Sequence, residues 1–386
     1  MRIETDFSFV FFQKSRFHQL SYLDFASRMT VEPSTWAKYR SIFLGVKFAA
    51  GSEIFKTLRD RVHEDLDYGK LSPPIQILGR GAFGTVSLHE YEGECKVAVK
   101  ELVEPTIDTD KETLDYNIEL FQSELKLLKK LSHKNIVRTL GFMYNKEGKL
   151  LIVQEAMLGG TLKPIVTGRS RIYGAEEGIT WGFQISRALS YLHESNPPVC
   201  HRDLKLDNVL VTYDLKTVKL CDFGLAKIFA KGDRSKNCVC DEEAKIIRKT
   251  SRTLKRQVTQ NVGSGRYVAP ENALGKNYDQ RTDIFSFSIL LWEILSHKAA
   301  YSQQFPYYAA HDILDLVYFH DVRPLIPVVW PEELRNILTR SWSRHPDQRP
   351  SGGEISDTLD KIRVNEAVLR KLQNRTRLEE SCCTVM

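Results

Sequence analysis

Paired cysteines, long apolar runs and internal repeats are all scarce here. The chain has 386 residues but seven cysteines, at 95, 200, 221, 238, 240, 382 and 383. An odd count at scattered spacings excludes a disulfide framework, and a chain this long builds a core without one, which fits a reducing compartment. No apolar run reaches the roughly 20 residues of a membrane-spanning helix. The stretch Phe7-Ser8-Phe9-Val10-Phe11-Phe12 is too short for a secretory signal core, and Glu4 and Asp6 precede it. With Asp24, these acids also count against an organellar transit peptide, so a cytoplasmic protein is expected. Without repeats, solenoids and propellers drop out. Charge of one sign is scarce too, apart from one segment. The net charge is +6, and residues 227–256 alone hold ten Lys/Arg against four acids. Only Phe229 is an aromatic near those charges, so nucleic acid is not an expected partner.

What is present is an ordinary globular composition, 42% hydrophobic and 27% charged, enough for a core over most of the length. Apolar residues from Trp36 to Val62 recur at threes and fours and predict a helix over 34–68. Pro73-Pro74 breaks that pattern. Strand-like runs follow at Ile75–Leu78, Thr85–His89 and Lys96–Val99. Thr109-Asp110-Lys111-Glu112 has capping-box spacing and opens a helix expected to run to about Leu131. Two further strands are expected near Arg138–Met143 and Leu150–Gln154. After Gly159-Gly160 the pattern turns helical, with long apolar faces over 177–194 and Asp283–Leu295. Strands first and helices later predict an α+β chain of two unequal lobes, with a ligand cleft between them.

Gly79-Arg80-Gly81-Ala82-Phe83-Gly84-Thr85-Val86 joins two expected strands. Its glycines let backbone amides approach a polyphosphate. A dinucleotide-binding fold would need a helix next, and a strand follows instead. Val97-Ala98-Val99-Lys100 ends an apolar strand on an ammonium group that needs anionic partners once buried. Glu124 on the capped helix is the first choice for one of them, with Glu119 as the alternative.

Downstream stand His201-Arg202-Asp203-Leu204-Lys205-Leu206-Asp207-Asn208, Asp222-Phe223-Gly224 and Ala269-Pro270-Glu271. With the glycine-rich loop and Val-Ala-Val-Lys, this ordered set resembles the eukaryotic protein kinases over roughly residues 75–362. The resemblance implies a two-lobed kinase fold: a small β-rich N-lobe with one main helix (72–154), a hinge (155–160) and a larger, mostly helical C-lobe (161–364). Residues 222–271 form the activation segment. Residues 1–71 are then a helical extension of unknown role, and 365–386 a basic tail.

The resemblance also assigns roles, with ATP and Mg²⁺ as cofactors and a protein as substrate. Gly79 to Gly84, including Arg80, Gly81, Ala82 and Phe83, would cover the phosphates. Val86, Ala98 and Leu210 would line the adenine, and the backbone from Glu155 to Met157 would bond it, with Gln154 gating the back of the pocket. Lys100, held by Glu124, would grip phosphate oxygens. Asn208 and Asp222 are hard oxygen donors suited to Mg²⁺. Asp203 would orient the acceptor hydroxyl and take its proton, and Lys205 would balance charge on the transferring group. Lys205 at this place implies Ser/Thr specificity, with tyrosine transfer as the runner-up. Ser264 stands where such kinases often have Thr, with its hydroxyl expected on Asp203 and Lys205. Leu128, His201 and Phe223 are expected to stack as a spine. Asp283 is expected to anchor the catalytic-loop backbone, and Glu271 to pair with Arg349. Trp342, together with Arg323-Pro324-Leu325-Ile326-Pro327 upstream, resembles the tyrosine-kinase-like group. A kinase-like scaffold without catalysis would lack some of Lys100, Glu124, Asp203, Asn208 and Asp222, and all five are present.

From Asp222 to Glu271 the segment is longer than the resemblance implies. Its basic stretch reads as a solvated insertion on composition, or as an activation loop switched by phosphate on Thr250, Ser251, Thr253 or Thr259. In that second reading an upstream kinase is a partner and Arg202 the phosphate's ligand. Cys238-Val239-Cys240 has no further ligands nearby and is not a zinc site. The last four residues, Cys383-Thr384-Val385-Met386, fit a prenylation pattern, weakened by Thr384. Six basic residues over 361–377 or acylated Cys382 would supply the second membrane signal.

Overall fold

The computed structural model describes residues 66–81, 84–101, 124, 127–146, 150–168, 173–229, 265–274, 278–308, 310–370 and 372. Several sequence expectations lie outside these residues: the helix over 34–65, Ala82 and Phe83, the capping box at Thr109–Glu112, and Glu119. So do most of the basic segment with Ser264 and its candidate phosphosites, Cys238 and Cys240, and the terminal cysteines. The chain divides into two compact units, residues 1–131 with 138–156, and residues 132–137 with 157–386.

Among the described residues the first unit holds a five-stranded antiparallel sheet. Its strands are β1 (Gln76–Gly81), β2 (Gly84–Tyr91), β3 (Cys95–Glu101), β4 (Thr139–Tyr144) and β5 (Leu150–Glu155), in the order β1-β2-β3-β5-β4. Period-two alternation explains β3. Cys95, Val97 and Val99 are buried in a core with Tyr91, Leu140, Met143, Leu151 and Val153, while Ala98 and Lys100 point to the other face. Leu66, Tyr68 and Leu71 pack on that core from the chain leading into the sheet. Residues 66–68, the described end of the helix expected over 34–68, are not α-helical. Asp67 accepts from the Gly69 N–H at 2.8 Å, and a 3₁₀ turn spans Tyr68–Lys70. A side chain that bonds its own backbone two residues on competes with helix at that point.

The second unit is mainly helical: α1 (Leu162–Thr167), α2 (Ala175–Glu194), α3 (Pro270–Ala273), α4 (Arg281–Ser296), α5 (Ala310–Phe319), α6 (Glu332–Ser341) and α7 (Gly352–Arg363). Every residue of α4 from Thr282 to Leu295 is buried, which makes it the central helix of the unit. Two short strand pairs escaped the sequence reading. β6 (Val199–Cys200) pairs with β9 (Lys227–Ile228), and β7 (Val209–Val211) with β8 (Val218–Leu220). Strands of two or three residues carry too little alternation to register.

Two close approaches position the β7–β8 hairpin. Gly159 donates its N–H to Val211 at 3.0 Å, and a Cβ there would meet the Val211 and Thr212 carbonyl oxygens at 2.5 Å, so only glycine fits. Residues 132–137, which the order of motifs puts with the sheet, pack instead with the second unit. Leu220 donates to the Asn135 carbonyl at 2.9 Å, Val137 to Leu220 at 2.8 Å, and the Asn135 amide to Val218 at 2.9 Å. Backbone pairing to β8 outweighs sequence order.

Candidate active site

In the first unit, the sheet register gathers the expected nucleotide residues on one face. Val86 lies opposite Lys100, and Ala98 lies opposite Gln154, so all four side chains share the face turned away from the core. Lys100 Nζ donates to both carboxylate oxygens of helical Glu124 at 2.7 Å, with both residues buried. A buried ammonium is tolerable only with such a partner. Gly79, Arg80 and Gly81 pair with Val86, Thr85 and Gly84. A Cβ at Gly79 would meet nothing within 4 Å, so no protein atom requires glycine there. The open space suits a polyphosphate approaching the backbone. Glu155 ends β5; its N–H donates to Arg138 O at 3.0 Å and its carboxylate accepts the Arg138 N–H at 2.7 Å.

The second unit carries the residues that the resemblance makes candidates for the reaction. Asp203 Oδ2 accepts from Lys205 Nζ at 2.7 Å and from Asn208 Nδ2 at 2.8 Å; Asn208 Nδ2 also bonds the Asp203 carbonyl at 2.8 Å. Neither of the two side-chain bonds falls on Oδ1. With its nitrogen committed, Asn208 offers its amide oxygen. The β7–β8 hairpin sets Asn208 against the Asp222 segment, because Cys221 N–H donates to Asn208 O at 3.0 Å. Asp222 takes φ 61, a costly conformation for a residue with a Cβ and one found at functional sites. An amide oxygen and a carboxylate are donors that fit Mg²⁺, an ion that keeps several waters and phosphate oxygens as further ligands. Leu210 lies on β7, and Met157 accepts from the Gly160 N–H at 3.2 Å.

The catalytic-loop backbone hangs on α4. Asp283, fully buried, accepts the His201 N–H on one oxygen and the Arg202 N–H on the other, each at 2.8 Å, and bonds His193 Nε2 at 2.9 Å. Burial alone would push this carboxyl up; the His193 hydrogen bond and charge, with His201, hold it below its ordinary value. Asp283→Asn keeps the shape but leaves one loop N–H without an acceptor, so a loss of roughly 1–3 kcal/mol at neutral pH is expected. A depressed carboxyl contributes fully above its unfolded value of 3.8 and loses that contribution as pH falls through the folded value. The gap between wild type and variant in denaturant melts therefore narrows below about pH 4.

His201 and Phe223 meet with ring planes tilted by 50° and centroids 4.8 Å apart, and His201 Nε2 donates to Cys221 O at 3.0 Å. Leu128, the third expected spine member, is buried in the first unit. Arg349 grips Glu271 through two bonds of 2.6 and 2.8 Å.

Sequence reasoning missed a second buried acid on α4. Glu293 accepts from the Tyr267 hydroxyl and from the Ala300 N–H at 2.8 Å, with Arg266 3.6 Å away. Burial pushes Glu293 upward and, with the Glu293 charge, holds Tyr267 well above its ordinary value. The sequence shows that an acid in a largely apolar helix needs a partner, but it does not show which residue supplies it. Tyr267 and Asn272 line a cleft with Arg202, Asp203, Lys205 and Ser286.

A carboxylate held by a lysine and an amide, two hard oxygen donors and, in the other unit, a buried lysine–glutamate pair are residue types that phosphoryl transfer uses. The chain belongs to the protein kinase family: the family described as "Protein kinase domain" matches residues 74–360. That family uses ATP with a divalent cation, and its two-lobed α+β fold is the fold of this chain. The sequence is 30% identical over 295 residues to "Mitogen-activated protein kinase kinase kinase 7" of Homo sapiens, covering 76% of this chain and 42% of that protein. It is 31% identical over 304 residues to "Dual specificity protein kinase shkA" of Dictyostelium discoideum, covering 75% and 49%. "Probable serine/threonine-protein kinase kinX" of the same organism matches at 31% over 304 residues, covering 78% and 24%. The chain thus spans about half or less of the length of these curated relatives.

Proposed function

We propose that the chain is a protein serine/threonine kinase in a signalling pathway, moving the terminal phosphoryl group of ATP to a protein hydroxyl with Mg²⁺. The observation that carries this is the Asp203 cluster, in which Oδ2 is held by Lys205 and Asn208. Oδ1 is left to orient the acceptor hydroxyl and take its proton. Lys205, 2.7 Å from Asp203, brings positive charge to the transferring group. Asn208 and Asp222 would hold the metal, which neutralises phosphate charge when bound. Lys100 would grip the α- and β-phosphates, its ammonium aligned by Glu124. Gly79 to Gly84 would cover the phosphates, Val86, Ala98 and Leu210 would enclose the base, and Glu155 to Met157 would bond it.

The hydroxyl class follows from Lys205, and the dual-specificity names of some relatives make tyrosine the alternative. Matched peptides with Ser, Thr or Tyr acceptors, incubated with the full chain, ATP and Mg²⁺, test it. Transfer to Ser or Thr is expected; transfer to Tyr alone would overturn the class.

Control by phosphate on the basic segment is part of the same reading, because Arg202 adjoins Asp203 and an upstream kinase would supply the charge. Alanine at Thr250, Ser251, Thr253 and Thr259 together is expected to lower activity about tenfold or more; unchanged turnover would refute it.

A further inference from the structure

The loop over 132–135, which packs with the second unit, carries a histidine with one committed nitrogen and one free. Tyr191 on α2 holds the loop twice. Its hydroxyl accepts the Ser132 N–H at 3.0 Å, and its ring stacks on the His133 imidazole with centroids 5.1 Å apart. The Asn135 N–H donates to His133 Nδ1 at 3.1 Å. A nitrogen that accepts from a backbone amide carries no proton, so the neutral ring has its proton on Nε2. That Nε2–H is a donor oriented by the stack, and among the described residues it has no acceptor.

Cations gather around this donor. Lys134 follows it in the chain, Arg187 lies one turn before Tyr191 on the same face of α2, and Lys219 is on β8. Burial, then the charges of Lys134, Arg187 and Lys219, push the imidazole down to about 4, and no carboxylate among the described residues acts against them. Protonation at Nδ1 would also set a donor against the Asn135 N–H. The ring is therefore neutral at physiological pH. Lys134 and Arg187 are exposed, and neither side chain has a hydrogen bond or ion pair among the described residues. Lys219 has a partner of its own and adds only charge.

Two exposed cations and a neutral donor, with no carboxylate acting on them, suit an anion. An anionic membrane is read by a larger cluster, about four to eight cations. A nucleic-acid strand needs open ring faces, and the Tyr191 ring is already stacked on His133. A second copy docking by the same face would oppose like charges. One compact group fits: a phosphate monoester, doubly charged and with oxygens enough for Nε2–H and both cations at once. Because both cations are exposed, a small free phosphate would stay largely hydrated, whereas one borne on a protein segment brings further contacts with it.

We propose that His133, Lys134 and Arg187 form a binding site for a phosphorylated side chain of a partner protein. The His133 Nε2–H orients the phosphate and the two cations balance its charge. The site takes no part in phosphoryl transfer, and its test reads binding rather than turnover.

The full chain, isotope-labelled at histidine and with its nucleotide cleft filled by a non-hydrolysable ATP analogue, is titrated with three probes at equal ionic strength. These are a fluorescent phosphoserine peptide, the same peptide with glutamate at that position, and inorganic phosphate. Peptide anisotropy gives the affinity, competition ranks inorganic phosphate, and the His133 ring nitrogens, followed by NMR, report the site itself. The phosphoserine peptide is expected to bind more tightly than either other probe and to shift Nε2 while Nδ1 stays unprotonated. Lys134→Ala and Arg187→Ala, both at exposed positions, should each weaken it roughly tenfold. His133→Phe, which keeps a ring against Tyr191 but drops the donor, should weaken it by a similar factor. Equal binding of the glutamate peptide would overturn the phosphate, and equal binding of inorganic phosphate would overturn the protein partner. Binding to phosphatidylserine vesicles but not to the peptide would give this face to a membrane instead. An affinity that none of the three substitutions changes would overturn the site, and a ring that becomes doubly protonated on binding would overturn its role as a neutral donor.

Discussion

Asp203→Asn is expected to lower kcat by roughly a thousandfold with the nucleotide still bound. The carboxylate is placed by two donors on one oxygen, Lys205 Nζ at 2.7 Å and Asn208 Nδ2 at 2.8 Å. An amide of the same shape keeps one acceptor for those donors. It cannot take up a hydroxyl proton, so proton transfer and acceptor alignment are lost together. Asp203 sits at the surface of the second unit, with a side chain 21% exposed, so the fold loses little. The melting temperature should shift by no more than a few degrees, and nucleotide affinity by no more than about threefold. Steady-state kinetics beside a binding titration check both halves. A variant that still turned over at a tenth of the wild-type rate would remove Asp203 from its role.

Arg349→Ala is the second large effect, and it falls on stability. The guanidinium has no exposed side-chain surface and forks onto Glu271, 6% exposed, while also bonding the Arg281 carbonyl at 3.1 Å. Removing it leaves a carboxylate buried without its counter-charge, a change that costs about 3–5 kcal/mol. For a unit of this size that lowers the melting temperature by about 10 °C. Replacing both partners, Arg349→Met with Glu271→Leu, removes the stranded charge and should recover most of the loss. Thermal melts of the single and double variants decide it. If the double variant were as unstable as the single, the cost would lie in lost packing around Phe285, whose ring Arg349 also covers at 5.3 Å.

These effects trace back to features of unequal legibility. Strands β1 to β5 stood out as short, mostly apolar runs, and their observed bounds differ from the expected ones by three residues at most. Helix α4 stood out because most of its residues from Ile284 to Leu295 are apolar. The Lys100–Glu124 contact was readable from chemistry, since a lysine closing an apolar strand requires an acid, although spacing alone left Glu119 open. The short strand pairs were not readable; β6–β9 is held by backbone pairing that any residue types can make. Nor was the Tyr267–Glu293 bond, which joins residues 26 positions apart on different elements.

The central claim is tested most directly by incubating the purified full chain with Mg²⁺ and γ-labelled ATP beside Asp203→Asn, and mapping the label by mass spectrometry. The account predicts phosphoserine or phosphothreonine in the wild type and none in the variant. A wild type that binds ATP yet transfers nothing, even after the 227–264 segment has been phosphorylated, would contradict it and leave a kinase fold that binds without catalysing.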